Sequence, residues 1–215
     1  MVAQHFRHVR AWVFDLDNTL YPPEARLFDQ IEARMVAFVM RALGLDRASA
    51  DRLRADYLAR YGTTLAGLMA VHGLDPADYL IEVHDIDLSH LAPEPALASA
   101  IAALPGRKIV YTNGTRAYAT RVLAARGLSG NFDAVYGVHE AGYLPKPDPR
   151  AFQTVFARDG IDASRAAMFE DDPRNLTAPH AMGMRTVHVA AKPAPADHIH
   201  HHTDDLAAFL HRLAP

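Results

Sequence analysis

The chain has 215 residues, half of them hydrophobic, which is long for one small domain and short for two full ones; one core with a satellite is the expected organisation. A formal net charge of −3 carries no basic excess, so electrostatic capture of a nucleic acid polymer is not expected. The absence of cysteine excludes a disulfide framework, a thiolate metal site and a cysteine nucleophile, and fits a reducing cytoplasm.

The first apolar run, Ala11 to Phe14, is too short for the hydrophobic part of a signal peptide, and no window approaches the roughly 18 apolar residues of a membrane helix. A soluble, cytoplasmic protein with no membrane partner is expected. The same run predicts a buried first strand, and it leads into Asp15, Leu16, Asp17, Asn18 and Thr19. Side chains i and i+2 on a strand share a face. Two carboxylates placed that close repel unless the chain turns away or a cation or proton separates them. A calcium loop of the EF-hand kind is excluded, because a loop starting at Asp15 would need Gly and Glu where the chain has Leu20 and Arg26.

Residues 21–92 carry helical spacing and no comparable strand. Leu27, Ile31, Met35 and Phe38 mark one face of a long amphipathic helix, Leu53 and Tyr57 belong to another, and further helices are predicted near Leu65 to His72 and Ala77 to His84. Pro22-Pro23 and Pro93-Glu94-Pro95 bracket the region as linkers would. A helical insert over 21–92 is therefore expected, dividing a core made of 1–20 and 93–215.

Beyond it, β-rich segments recur at Lys108 to Thr112, Phe132 to Tyr136, Ala166 to Phe169 and Met184 to Val189. Helical patterns lie between and after them: Val122 and Leu123; Phe152, Val155 and Phe156; Leu206, Phe209, Leu210 and Leu213. This alternation predicts βαβ units and an α/β, Rossmann-like parallel sheet with helices on both faces, its ligands at the carboxyl ends of the strands.

Chemistry-bearing groups stand at those ends. Asp15 and Asp17 follow the first strand, Thr112, Asn113 and Gly114 the second, Lys146 the third, and Asp171 and Asp172 the fourth. Taken singly, Lys146 reads as a solvated loop lysine, Thr112 as a helix N-cap, and the Asp-Asn-Thr cluster as a turn. Taken together they make a set suited to a magnesium ion and a phosphate.

Asp-Leu-Asp-Asn-Thr, a Thr ending a strand, a Lys before Pro and a second acidic pair resemble, in order, the four motifs of the haloacid dehalogenase-like (HAD) phosphatase superfamily. The insert lies where that superfamily carries its C1 helical cap. The stretches LYPPEARLFDQIEARM, YGTTLAGLM, YTNGT and FEDDPRN further resemble the pyrimidine 5′-nucleotidase branch.

The resemblance implies a Mg²⁺-dependent phosphomonoester hydrolase acting on a small phosphorylated metabolite, a nucleoside monophosphate such as UMP or CMP. In that scheme Asp15 attacks phosphorus, and Asp17 protonates the leaving oxygen and later activates water, its side chain holding a proton near neutral pH through repulsion from neighbouring carboxylates. Thr112 and the N–H groups of Asn113 and Gly114 hold the phosphate, and Lys146 balances charge. The metal sits on Asp15, on Asp171 in preference to Asp172, and on Asp17 through its backbone carbonyl. Glu170 replaces a glycine found in many members, and Asn175 stands where some have a third acid.

Thr63 and Thr64 cap the next helix or, by the same resemblance, read the leaving group. Tyr21, Phe28 and Tyr61 could stack on a base, or fill the core. The run His198 to His202 suggests a polar connector, with zinc binding as its competitor. Sugar phosphatases, phosphoglycolate phosphatases and phosphomutases share the core motifs. From another class, a phospho-accepting receiver domain uses similar groups, but its acid pair has no intervening residue and it carries no such insert. A catalytically silent binding module predicts no hydrolysis.

Overall fold

Ala11–Phe14 forms β1 and is buried along its whole length, as a strand covered on both faces must be. The computed structural model describes residues 2–213. In it β1 is central to a six-stranded parallel sheet with β2 (Arg107–Tyr111), β3 (Ala134–Tyr136), β4 (Ala166–Glu170), β5 (Arg185–Val189) and β6 (His201–Thr203), in the order β3-β2-β1-β4-β5-β6. The chain winds outward from β1 in both directions. This makes the carboxyl end of β1 the switch point where open α/β sheets bind their ligands.

Period-two alternation divides the core. Trp12, Phe14, Val110, Ala167 and Phe169 face one apolar cluster, with the helices α5 (Pro95–Ala102), α6 (Arg116–Ala125) and α9 (Leu206–His211). Val13, Ile109, Tyr111 and Met168 face the other, against α7 (Pro149–Asp159) and α8 (Thr177–Ala181). Phe14 and Phe169 stack across β1 and β4 with ring centroids 4.7 Å apart. Register sets the level of the site: Phe14 pairs with Val110 on one side and Phe169 on the other, so Asp15, Tyr111 and Glu170 reach the same edge of the sheet.

Between β1 and α5 lie α1 (Leu27–Leu43), α2 (Arg47–Tyr61), α3 (Thr64–His72) and α4 (Pro76–Val83), packed on one another in the stretch expected to form the helical insert. Their ends follow sequence chemistry. Gly44, Gly62 and Gly73 close α1, α2 and α3 in the left-handed conformation, and the side chains of Asp46, Thr63 and Asp75 cap the starts of α2, α3 and α4. Gly67 has a steric reason: a Cβ there would lie 2.3 Å from Cγ of Tyr57, so only glycine lets α3 approach α2 this closely.

Two elements differ from expectation. Pro93-Glu94-Pro95 does not end in a linker, because Pro95 opens α5, where its missing N–H costs nothing. The histidine run is only partly a connector: His201 and His202 open the edge strand β6. His198 Nε2 and His202 Nε2 lie 2.9 and 2.8 Å from the carbonyls of Pro173 and Ala190, and His200 Nδ1 lies 2.7 Å from Thr186 Oγ1. Among the described residues no histidine belongs to a cluster with metal-ligand spacing.

Candidate active site

Four segments deliver the site to the carboxyl edge of β1. Asp15 continues the strand ladder through its N–H, which donates to the Phe169 carbonyl at 2.9 Å. The chain then turns sharply at Asn18, whose φ of 58° is the left-handed conformation that asparagine tolerates better than most residues, and its amide donates to Asp171 Oδ2 at 3.3 Å. Lys146, ten residues beyond the end of β3 and almost fully buried, brings its ammonium to Asp15 Oδ1 at 2.5 Å, Glu170 Oε2 at 2.6 Å and the Tyr111 carbonyl at 3.2 Å. Three N–H donors meet three acceptors.

The loop after β2 carries Thr112, Asn113 and Gly114. Asn113 is spent on positioning Lys146: its side-chain oxygen accepts the Lys146 N–H at 2.8 Å and its amide donates to the Lys146 carbonyl at 3.2 Å. The Gly114 N–H donates to Thr112 Oγ1 at 2.9 Å, so its expected bond to a phosphate oxygen requires that contact to exchange. Gly137 presses on this loop from the end of β3, where a Cβ would lie 2.6 Å from the Arg116 nitrogen and 2.7 Å from the Gly114 oxygen. Asp17 acts electrostatically on Asp15 and also has hydroxyl partners: its Oδ1 accepts from the hydroxyls of Tyr21 at 2.6 Å and Tyr118 at 2.8 Å, and Thr112 Oγ1 lies 3.4 Å from its Oδ2.

Glu170 is the residue that the motif pattern did not select. Its carboxylate receives Lys146, the Asn175 amide at 3.2 Å and the Asp172 N–H at 3.3 Å, which gives position 175 a reason to be an asparagine and not a third acid. Asp172 turns away to cap the following turn and pairs with Arg174 at 2.6 Å, whereas Asp171 faces the cluster. Three successive acids at a strand end, opposite a single buried lysine, were the available signal for Glu170.

Burial drives the electrostatics. It pushes the Asp171 carboxyl up to about 7, helped by Asp15, and pushes Glu170 to about 7 against the pull of Lys146, with Asp171 adding to the rise. Asp15 is raised by burial and by Glu170. Burial would favour a neutral Lys146, but Asp15 and Glu170 outweigh it and keep the ammonium charged. One lysine cannot neutralise three acids.

Ligand atoms of Asp15, Glu170 and Asp171 lie within 4.8 Å of one another, an all-oxygen donor set suited to a hard divalent cation. Carboxyls with raised folded-state values bind protons more tightly folded than unfolded. In the presence of a chelator their contribution is therefore full near about pH 4 and declines as pH rises through about 7. Melting temperature in EDTA is expected to fall between about pH 5 and about pH 8, and added Mg²⁺ to raise it more at the upper end. Thermal melts over that grid check both signs.

The insert residues fall into place differently. Thr63 caps α3, accepting the Ala66 N–H at 3.1 Å, and Thr64 is buried at the first helical position. Their loop packs on the segment carrying Lys146, since a Cβ on Gly62 would sit 3.6 Å from Pro145 Cγ. Tyr21 lies in the core, and its hydroxyl also donates to Asp17. Phe28 is 44% exposed, and Tyr61 packs edge-on against Tyr57.

A family model described as haloacid dehalogenase-like hydrolase matches residues 9–183, which span every segment of this site. The chain belongs to that family. As a HAD-like hydrolase it is 27% identical over 191 residues to Phosphate metabolism protein 8 of Saccharomyces cerevisiae, covering 81% of this chain and 60% of the yeast protein. It is 28% identical over 200 residues to Phosphoglycolate phosphatase of Rhodospirillum rubrum, covering 83% and 78%. Among solved structures, the 2-haloacid dehalogenase of Pseudomonas syringae pv. Tomato superposes with a TM-score of 0.58 at 21% identity over 94% of this chain and 96% of that one. That likeness is one of HAD-like fold. Among the described residues no helix is long and apolar enough to cross a membrane.

Proposed function

We propose that this HAD-like hydrolase cleaves phosphate monoesters of small metabolites through an aspartyl-phosphate on Asp15. The observation that carries the proposal is the pairing of Asp15 with buried Lys146 beside an acidic, metal-suited cluster, with a second carboxyl, Asp17, two residues on and held by hydroxyl donors.

A carboxylate approaching a phosphate dianion meets about 4 kcal/mol of repulsion per unit-charge pair at about 4 Å with an effective dielectric near 20. Lys146 offsets part of it and holds Asp15 in place. Asp15 and Asp171, with the Asp17 carbonyl, would hold Mg²⁺, which when bound supplies positive charge against the phosphate oxygens. Asp15 then forms a bond to phosphorus as the ester P–O bond breaks, and the leaving oxygen takes its proton from Asp17. In the second half, water attacks phosphorus, the P–O bond to Asp15 breaks, and the water proton passes to Asp17. Thr112 and the following backbone hold the phosphate oxygens. Release of halide needs no proton donor for the leaving group, so the placement of Asp17 favours phosphoester cleavage over dehalogenation.

Within phosphoesters, the insert is proposed to act as a cap over the strand ends, with Thr63 and Thr64 bordering the leaving group. Pyrimidine nucleoside monophosphates are the proposed substrates, on the resemblance of the four stretches named above. Phosphoglycolate, from the name of the bacterial relative, is the competing choice. Phosphate release with Mg²⁺ from UMP, CMP, purine nucleotides, sugar phosphates and phosphoglycolate, beside chloride release from 2-chloropropionate, tests both levels. UMP and CMP are expected to lead. Preference for phosphoglycolate would overturn the nucleotidase assignment, and halide release without phosphate release would overturn the phosphatase.

A further inference from the structure

Two buried tyrosines are outside the reaction scheme above. Tyr21, on the segment leaving β1, and Tyr118, in the first turn of α6, are each about 1% exposed, and both hydroxyls end on the same oxygen of Asp17. The two hydroxyl oxygens lie 3.4 Å apart. A phenol O–H is a hydrogen-bond donor at neutral pH, and each hydroxyl directs its donor to Asp17 Oδ1.

A carboxyl oxygen has two lone pairs. Two O–H donors occupy both on Oδ1 and fix rotation of the group. Among the described residues Oδ2 has only the 3.4 Å contact with Thr112 Oγ1, which places it toward the phosphate loop. Tyr118 is itself wedged: His84, at the end of α4, stacks on its ring with centroids 4.8 Å apart, and a Cβ on Gly114 would lie 3.0 Å from its Cδ1. The His84 ring is fixed in turn by its Nδ1, 2.8 Å from the Leu80 carbonyl.

We propose that Tyr21 and Tyr118 are positioning residues for Asp17, selecting Oδ2 as the oxygen that passes the proton to and from the leaving group and the water. This rests on the phosphatase assignment. A merely structural pair would add packing and nothing specific to proton delivery.

A proton donor matters most when the leaving group is poor, so the readout is leaving-group dependence. Single-turnover release from p-nitrophenyl phosphate and from an alkyl phosphate is measured by rapid quench with Mg²⁺ for wild type, Tyr118→Phe, Tyr21→Phe, Asp17→Asn and the double variant Tyr118→Phe/Asp17→Asn. The aryl-to-alkyl rate ratio is expected to rise about tenfold or more in each tyrosine variant, a fraction of the 10²–10⁴ that a positioned acid supplies. The double variant should lose no more than about twofold beyond Asp17→Asn alone, since residues acting as one unit are not additive. An unchanged ratio, or full additivity on the Asp17→Asn background, overturns the assignment. Thermal melts accompany each variant, and if Tyr118→Phe does not fold, Tyr21→Phe carries the same test. Wild type that releases neither leaving group removes the phosphatase assignment itself; wild type that turns over both while the ratio stays fixed removes only the role of the tyrosines.

Discussion

Asp15→Asn is expected to lower Mg²⁺-dependent phosphate release by a factor on the order of 10⁴ or more, the scale on which loss of a nucleophile acts in covalent hydrolases. The amide has nearly the size of the carboxylate but is a far poorer nucleophile. The fold should survive, because Lys146 keeps Glu170 at 2.6 Å and the Tyr111 carbonyl at 3.2 Å and is not left unpaired. Removing one of three crowded acids also relieves repulsion, so melting temperature in EDTA is expected to stay level or rise. The increment from Mg²⁺ should shrink, since one of its oxygen ligands has lost its charge. Acid-quenched wild type incubated with substrate should carry a phosphoryl adduct by intact mass, and the variant none. Turnover near the wild-type rate would remove Asp15 from the role of nucleophile.

The positions of Asp15, Lys146 and Asp171 at one edge of the sheet were legible because strands buried on both faces announce themselves as apolar runs. The polar residues that interrupt such runs mark the strand ends. Parallel winding then brings those ends together without any knowledge of side-chain contacts. What stayed hidden is of two kinds. Tyr118 reaches Asp17 across 101 residues, and no period or spacing in the chain encodes a hydrogen bond of that range. Glu170 looked like an anomaly beside the acidic pair, because its value depends on a buried lysine 24 residues earlier.

The missed elements have local causes. β6 sits at the sheet edge, where polar histidines are tolerated, so its composition does not read as a strand. The start of α5 was masked by prolines that mark a boundary in one register and suit a first helical turn in the next. Asn113 was legible in place but not in role: its side chain closes two hydrogen bonds on the Lys146 backbone, while sequence chemistry pointed only to its N–H.

Lys146→Met should give the largest stability loss of any single change in the site. Methionine fills much of the same channel but removes the cation from Asp15 and Glu170, which lie 2.5 and 2.6 Å from the ammonium and are almost fully buried. Breaking a buried pair by deleting one partner costs about 3–5 kcal/mol, because the remaining charge stays desolvated. Proton uptake by the two acids offsets part of that cost at low pH, since burial already raises both carboxyls. The loss in EDTA is therefore expected to be smallest near about pH 5 and to grow toward about pH 8. Mg²⁺ should recover part of the melting temperature by supplying positive charge to the same carboxylates. It should not recover turnover, which is expected to fall by about 10²–10³, the usual effect of removing one preorganised charge-stabilising group. Lys146→Arg is expected to rescue little, because a planar guanidinium cannot direct three donors to acceptors arranged around a compact ammonium. Melts with EDTA or Mg²⁺ at both pH values, beside phosphate-release rates, separate the structural from the catalytic part. A variant as stable as wild type in EDTA at the higher pH would mean that the acids do not depend on Lys146 for their charge balance.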